Sequence, residues 1–147
     1  NRTYTGWSAV ADDVMARMSA TGALQPRIVQ PSPALRAAKE EVSRLVAAWD
    51  DDLAERLAAV NLFRDRSRDR RRAELERLRR QLGACRPDDR FEFVENALRG
   101  EWLLQCDRGW ARASVTLAPT MPPKVQYLEV QAISPSEGPV RRQACPE

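Results

Sequence analysis

Apolar residues recur every three or four positions through the first half of the chain, a spacing that is typical of amphipathic helices. A first helix is predicted to end at Gly22, and its apolar stripe consists of Trp7, Val10, Val14 and Met18. A second helix is predicted after Ser32-Pro33, a favourable N-cap followed by proline at the first helical position. Its apolar stripe contains Leu35, Ala38, Val42, Leu45, Val46 and Trp49. Between the two helices, Pro26 and Pro31 predict an extended linker.

Two further helices are predicted, each with apolar residues on one side. The first is short, begins with the capping residues Asp50 to Asp52, and ends before a turn at residues 61–64. Its inward-facing residues are Leu53, Leu57 and Val60. The second is rich in arginine and ends at Gly83. Its apolar residues are Leu75, Leu78 and Leu82. Because this apolar stripe is narrow, the helix is expected to lie across an exterior face.

After Pro87 the pattern changes to an alternation of apolar and charged residues, which is typical of β-strands. The alternation starts with Phe91 and Phe93. Three longer strand segments follow, at 100–107, 110–118 and 124–133. Helices followed by consecutive strands predict an α+β fold, with the N-terminal helices packed on a curved antiparallel meander sheet.

The predicted organisation has four parts. They are a terminal helix at 1–24, a linker at 25–33, the α+β domain at 34–133, and a disordered tail at 134–147.

The pairing of the strands can be predicted from the requirement that one face of the sheet be apolar. A two-residue turn at Arg108-Gly109 meets this requirement for the first hairpin, whereas a three-residue loop would place Leu104 opposite Arg112. The predicted partners are Cys106 with Ala111, Leu104 with Ala113, and Trp102 with Val115. For the second hairpin they are Leu128 with Ala113, Val130 with Ala111, and Arg112 with Glu129 as an ion pair.

The apolar face of this sheet could either line a ligand pocket or pack tightly against the helices. The candidate pocket residues are Trp102, Leu104, Ala111, Ala113 and Leu128. Tight packing is the default, because large residues opposite small ones fill space. The candidates for a general acid or base near the sheet are Glu95, Glu101 and Tyr127. The predicted register turns Glu101 and Tyr127 outward, where ordinary pKa values are expected.

The amino-acid composition excludes several classes of catalytic and metal-binding site. The 147 residues include no histidine, which excludes His-dependent nucleophile activation and His-ligated zinc within this chain. No Cys-x-x-Cys spacing is present either, so no metal and no cofactor are expected. No apolar run approaches the roughly 18 residues needed to cross a bilayer.

Positive charge is concentrated between Arg64 and Arg80, a segment that contains nine arginines and four acidic residues. Such a segment could bind nucleic acid. However, Arg70 with Glu74, Arg72 with Glu76, and Glu76 with Arg80 are spaced for ion pairs along a solvated helix. The spacing therefore argues against nucleic acid as a partner.

The chain contains three cysteines, Cys85, Cys106 and Cys145. In an exported protein Cys85 and Cys106 would form the natural disulfide. In a cytosolic protein all three would be free thiols, and the spacing alone leaves both alternatives open.

Two stretches carry resemblances to known families. Residues 32–133, with a charged helix ending Leu82-Gly83 and a last strand reading Val125-Gln126-Tyr127-Leu128, resemble the cone-shaped α+β fold of nuclear transport factor two. Asn1-Arg2-Thr3-Tyr4 and the helix after it resemble the end of the hydrolase domain of serine β-lactamases and penicillin-binding proteins. The run from Pro119 to Leu128 resembles the accessory domain that follows this hydrolase domain in some bacteria.

The catalytic motifs of that hydrolase family are missing from this chain. No serine is followed three residues later by lysine, and neither a Tyr-x-Asn nor a Lys-Thr-Gly occurs. The resemblance therefore implies a non-catalytic accessory domain whose partner is an upstream serine hydrolase domain, with a homodimer as a further possibility. It also implies a periplasmic or secreted location, which favours the Cys85–Cys106 disulfide.

Two other functions stay open at this point. One is a stand-alone ligand-binding protein or isomerase-like enzyme of the cone fold. The other, which is weaker, is a nucleic-acid-binding module that uses the arginine-rich helix.

Overall fold

Local capping interactions start the three longer helices of the domain, and the caps at Ser32 and Asp50 were predicted. The computed structural model describes residues 5–22 and 29–134, and of residues 5–9 only the backbone. α1 (Thr5–Ala20) precedes the domain. α2 (Pro33–Ala47) begins where Ser32 Oγ accepts a hydrogen bond from Leu35 N at 3.1 Å. α3 (Asp51–Leu57) is capped by Asp50, and α5 (Arg68–Leu82) by Ser67, after the single turn of α4 (Leu62–Asp65).

The second half of the described chain forms an antiparallel sheet. Its strands are β1 (Cys85–Pro87), β2 (Phe93–Asn96), β3 (Arg99–Cys106), β4 (Gly109–Ala118) and β5 (Lys124–Ile133). The strand order is β1-β3-β4-β5, and β2 pairs with the same strand β3 as β1 does. Helices followed by an antiparallel sheet confirm the predicted α+β class. The sequence pattern missed the three-residue strand β1, which is too short to show an alternation.

The core lies between one face of the sheet and the apolar sides of α2, α3 and α5. Trp102 is fully buried at its centre, and its indole Nε1 donates a hydrogen bond to Ser43 Oγ of α2 at 3.1 Å. The ring of Phe91 meets the indole edge to face, with the ring centres 5.8 Å apart. The buried indole therefore satisfies its one donor while it packs on the helix layer.

The predicted register of both hairpins is wrong by two residues. The turn of the first hairpin is Asp107-Arg108, not Arg108-Gly109. Its partners are Trp102 with Ala113, Leu104 with Ala111, and Cys106 with Gly109. A shift of two residues keeps every side chain on its face of the sheet, so the apolar face itself was predicted correctly.

The same shift continues into the second hairpin. Val115 lies opposite Leu128 and Ala113 opposite Val130, with an irregularity between Thr116 and Leu117. Arg112 lies opposite Gln131, so the predicted position opposite Glu129 is wrong. Arg112 instead binds Glu92 through two hydrogen bonds of 2.7 and 3.1 Å.

Contacts outside the sheet explain why the first turn shifts. Asp107 accepts a hydrogen bond from Ala84 N on its carboxylate at 2.8 Å and donates its own N–H to Ala84 O at 3.0 Å. Arg108 N donates to Leu82 O at 2.9 Å. Gly83, which has φ of 84°, leaves no room for a side chain, because a Cβ there would lie 2.5 Å from Asp107 Oδ2. The end of α5 therefore selects the turn residues.

Two predictions for the connection after α3 are corrected. Val60 was expected inside, but its side chain is 79% exposed. Ala59 N donates to Val125 O of β5 at 2.8 Å, and this contact directs the next side chain outward. The turn expected at 61–64 contains the single helical turn α4.

The predicted helix at 1–24 contains α1, and Gly22 ends it with φ of 71°. Residues 1–4 and 23–24 of that predicted helix, residues 25–28 of the predicted linker at 25–33, and all but the first residue of the predicted tail at 134–147 lie outside the described residues.

Cys85 and Cys106 are joined by a disulfide that links β1 to β3, with Cα atoms 4.0 Å apart. The pairing favoured by the resemblance is thus present in the structure. The cross-link lies beside the contacts that attach the β3–β4 turn to the end of α5.

Replacing Cys85 and Cys106 together by serine should lower the free energy of unfolding by about 3 kcal/mol. The bond spans 21 residues in the sequence, and cross-linking a loop of that length restricts the unfolded chain. Denaturant unfolding of the oxidised protein and of the double variant measures the loss. Non-reducing peptide mapping should recover the two cysteines in one linked peptide pair. Cys85 found free, or joined to Cys145, would contradict the assignment.

Candidate functional site

The five residues predicted to line a pocket are all buried in the core: Trp102, Leu104, Ala111, Ala113 and Leu128. Leu128 borders a cavity of about 10 Å³ towards α2 and a second one of about 30 Å³ beside Arg71. The smaller cavity is at the lower limit for a single water molecule, and the larger one has room for one or two. The interpretation of these five residues as a ligand site stays a prediction.

A larger concavity lies on the outside of the domain. An open groove of about 750 Å³ runs between the first half of α2 and the segment that joins β1 to β2. Its apolar wall includes Phe91 and Val94, and its polar rim includes Arg36, Glu40 and Asp89. Such a mixture of one apolar wall and several charges can hold an extended polar segment, but it aligns no nucleophile with a base.

Lys39 is the buried charge of this groove. Its Nζ donates to the carbonyl oxygens of Asp88 at 2.5 Å and of Arg90 at 3.2 Å, and lies 5.0 Å from the centre of the Phe91 ring. Burial lowers the pKa of Lys39, although the neighbouring carboxylates of Asp88, Asp89 and Glu40 oppose this shift. The ammonium group therefore anchors the β1–β2 segment to α2.

Arg71 has a similar position on the other side of the core. Its guanidinium donates from Nη1 to Leu128 O at 2.8 Å and from Nε to Leu62 O at 3.2 Å. Burial is the main reason why its pKa is lowered, and the nearby charge of Arg66 adds to the effect. Arg71 thus ties α5 to β5 and α4 through neutral carbonyl groups.

Sequence analysis missed both of these buried cations, although the helical spacing contains a signal for each. Lys39 is four residues after Leu35 and three before Val42, and Arg71 is four residues before Leu75. Each cation therefore lies on the apolar side of its helix. A long side chain can cover apolar surface with its carbon stem while its charged end reaches a polar group.

Ion pairs along α5 agree in part with the prediction. Arg70 pairs with Glu74 and Arg72 with Glu76, as their spacing indicated. Arg66 also binds Glu74, at 2.8 Å. Burial acts to raise the pKa of Glu74, but the hydrogen bonds and charges of Arg66 and Arg70 hold this pKa below its ordinary value. The predicted pair of Glu76 with Arg80 does not form.

Two of the acid and base candidates near the sheet, Glu95 and Tyr127, are bound to neighbouring side chains. Glu95 forms an ion pair with Arg99 at 3.1 Å, and Glu101 lies in β3 opposite Ser114. Tyr127 faces outward as predicted, with its side chain 44% exposed. The expectation of an ordinary pKa is wrong for Tyr127, because a hydrogen bond to Glu129, together with burial, raises it.

The predicted interaction helix carries its apolar side chains in solvent. The side chains of Val10, Val14, Met15 and Met18 are 39–56% exposed. The backbone of Trp7 lies in α1, and its side chain is outside the described part of the chain.

Comparisons with known proteins identify no relative: no family model, no curated protein and no solved structure matches the chain. Within residues 5–22 and 29–134, no cluster of acidic and cysteine side chains is arranged to hold a metal ion. No helix in that part of the chain is both long enough and apolar enough to span a membrane.

Replacing Arg71 by alanine should lower the free energy of unfolding by about 3 kcal/mol, because two buried carbonyl groups lose their donor. Replacing the neighbouring Arg70 by alanine is the matched control. Its ion pair with Glu74 is exposed, so the change should stay within about 0.5 kcal/mol. Urea unfolding of the two variants makes the comparison. Equal losses of unfolding free energy in the two variants would mean that the buried position of Arg71 adds nothing to the stability of the domain.

Lys39 should give the protein a characteristic dependence of stability on pH. Because burial lowers its pKa in the folded protein, the unfolded chain binds this proton more tightly. The free energy of unfolding should therefore rise with pH between the folded-state pKa and the ordinary value of 10.5. The variant Lys39→Met lacks this contribution.

Urea unfolding of both proteins at a series of alkaline pH values tests the effect. The stability difference should move in favour of the wild type as the pH rises. Lys124→Met, which removes the same charge at the start of β5, controls for net charge. A difference that is constant with pH would show that burial does not affect the ammonium group of Lys39.

Proposed function

We propose that this chain is a non-catalytic accessory domain of a serine hydrolase of the β-lactamase and penicillin-binding-protein type. In this role the domain binds and positions, and the parent's hydrolase domain supplies the chemistry. The observation that carries the proposal is the exposed apolar side of α1, formed by Val10, Val14, Met15 and Met18.

An isolated helix with exposed apolar side chains has little to stabilise it. α1 has 16 residues, a length at which helices in water are only marginally stable without packing. An exposed apolar surface of this kind generally marks a contact with another folded body. The resemblance of this segment to the last helix of a hydrolase domain makes that domain the proposed partner.

The serine residues of the domain support a structural rather than a nucleophilic role. Ser32 and Ser67 cap helices, and Ser43 binds the indole of Trp102. The chain contains no histidine, and no serine precedes a lysine at the spacing that the hydrolase family uses. The proposed reaction therefore belongs to the parent's hydrolase domain.

The disulfide supports an exported location for the proposed parent. Disulfides persist in oxidising compartments such as the periplasm and the extracellular space, and are rare in the cytosol. The alternative of a stand-alone ligand carrier has less support, because the two cavities beside Leu128 have volumes of only about 10 and 30 Å³.

Deleting residues 1–30 should leave the melting temperature of the remaining domain nearly unchanged. It should also reduce the association of the chain with other copies of itself. Among the side chains that the structure describes, the buried residues of the core all belong to α2 and later elements, so α1 is not expected to stabilise the domain. Differential scanning calorimetry measures the first effect, and sedimentation velocity measures the second.

Point variants separate the apolar side of α1 from its helical content. Val14→Gln changes the apolar side and should weaken association, whereas Ala16→Gln changes another side of the same helix and should not. A fall of many degrees in the melting temperature on deletion would mean that α1 belongs to the core, and would refute the accessory-domain boundary.

A further inference from the structure

The sheet ends in an edge strand whose two halves differ in what covers them. β5 is the last strand in the order β1-β3-β4-β5, so one of its edges faces no other strand of the sheet. Along the first half of this edge, Ala59 N donates to Val125 O at 2.8 Å. Slightly further along, Arg71 Nη1 donates to Leu128 O at 2.8 Å. Other parts of the chain therefore close the first half of the edge.

The strand pairing shows which groups of β5 point to the second half of the edge. Leu117 N donates to the carbonyl oxygen just before β3 at 2.7 Å, so Leu117 of β4 turns its backbone groups towards β3. Backbone groups alternate sides along a strand, so those of Ala111 and Ala113 face β3 as well. Their partners across the sheet are Ala132 and Val130. The N–H and C=O groups of these two residues therefore point away from β4.

These outward groups of Val130 and Ala132 have no partner in the part of the chain that the structure describes. No hydrogen bond from residues 5–22 or 29–134 reaches them across the edge. An open groove of about 270 Å³ lies between this half of the edge and the flank of α5, and Arg77 and Gln81 line its helix side. Helix α5 therefore leaves space for a further strand beside β5.

The sequence of this half of β5 lacks the features that keep exposed strand edges apart. Proteins generally protect such edges with lysine, proline or a β-bulge. The segment from Glu129 to Ile133 contains no proline and no basic residue, and the irregularity in the pairing of β5 lies at its other end. Residues 130–133 read Val-Gln-Ala-Ile and carry no charge. A strand of the same sequence can therefore approach without charge repulsion.

We propose that β5 pairs with β5 of a second copy of this chain, antiparallel and about a two-fold axis through Gln131. Val130 of each copy then lies opposite Ala132 of the other, and the two residues exchange both of their N–H···O=C hydrogen bonds. The two Gln131 side chains lie opposite each other, where their amides can hydrogen-bond. The pairing joins two sheets into one continuous sheet.

Contacts at the two ends of this segment select the position of the axis. An axis at Val130 would place Ala132 against Leu128, whose carbonyl oxygen already accepts a hydrogen bond from Arg71. An axis at Ala132 would require Ser134, which lies beyond the end of β5. The axis at Gln131 uses the free groups of both residues and sets no like charges opposite each other. Self-complementary pairing of this kind suits a two-fold dimer, the commonest form of soluble oligomer.

Cysteine cross-linking of the full chain tests the register. In the proposed dimer the two Gln131 residues form a non-hydrogen-bonded pair with Cα atoms about 4.5 Å apart, within the range for a disulfide. The variant Gln131→Cys should therefore form an intermolecular disulfide under mild oxidation, in a chain where Cys145→Ser removes the remaining thiol. Tyr127→Cys, at an exposed position on the same face of β5, is the matched control and should stay monomeric on non-reducing gels.

Sedimentation velocity of the full chain over a range of concentrations tests the hydrogen bonds. Ala132→Pro removes only the outward N–H, at an edge position where a strand tolerates proline. It should weaken the dimer about 30-fold, because each dimer loses two hydrogen bonds. Ala132→Ser keeps the N–H and should change the dissociation constant less than about threefold. Circular dichroism verifies that both variants are folded.

The proposal is independent of α1, so Val14→Gln should leave the cross-link of Gln131→Cys unchanged. A chain that stays monomeric at all concentrations would overturn the proposal, as would equal cross-linking of the Gln131→Cys and Tyr127→Cys variants. Hydrogen exchange of the monomer gives a third criterion. Strong protection of the Val130 and Ala132 amides in the monomer would show that a segment of the same chain occupies the edge, which also contradicts the dimer.

Discussion

The junction between the end of α5 and the β3–β4 turn is the constraint on which the sheet depends. Gly83 allows the chain to leave the helix with a positive φ, and Asp107 occupies the space that a side chain at this position would need. The backbone and carboxylate of Asp107 both bind Ala84, which fixes the turn and with it the position of Trp102 opposite Ala113. The disulfide secures the same junction from β1. A helix end thus determines a strand register.

Two buried cations, Lys39 and Arg71, attach other parts of the chain to helices α2 and α5. Lys39 and Arg71 both bind backbone carbonyls instead of carboxylates, so each charge is solvated by dipoles and not neutralised. This is why burial dominates over nearby acids in lowering both pKa values. Lys39 in this way fixes the irregular segment between β1 and β2, and Arg71 joins α5 to α4 and β5.

The sequence predicts those features that depend on neighbouring residues and misses those that depend on distant ones. Ser32 and Asp50 cap helices through contacts within three residues, and so their positions were readable from the pattern. The apolar face of the sheet follows from alternation. The two-residue error in register arises because the Asp107-Arg108 turn is selected by contacts with α5, which no local pattern contains.

For the candidate site the same distinction holds. The apolar stripe of α1 was predicted from its spacing and the disulfide from the family resemblance, whereas partners of Lys39 and Arg71 lie about 50 residues away in sequence. Spacing shows that such a cation is on the apolar side of its helix, but it does not show which carbonyl groups it meets. The groove beside Lys39 was missed for this reason.

The spacing of charges along a helix likewise does not show which ion pairs form. Glu76 stands four residues from both Arg72 and Arg80, so the sequence allows either pair, and an acid placed before its cation is intrinsically the better order. In the structure Glu76 pairs with Arg72 instead, because Asp51 at the start of α3 approaches Arg72 to 3.6 Å and the three side chains form one network. The sequence places the acids of α5 at positions 69, 74 and 76, and the tertiary contact with Asp51 accompanies the pairing of Glu76 with the earlier of its two candidate arginines. Arg80, near the β3–β4 turn, is left without Glu76 as a partner.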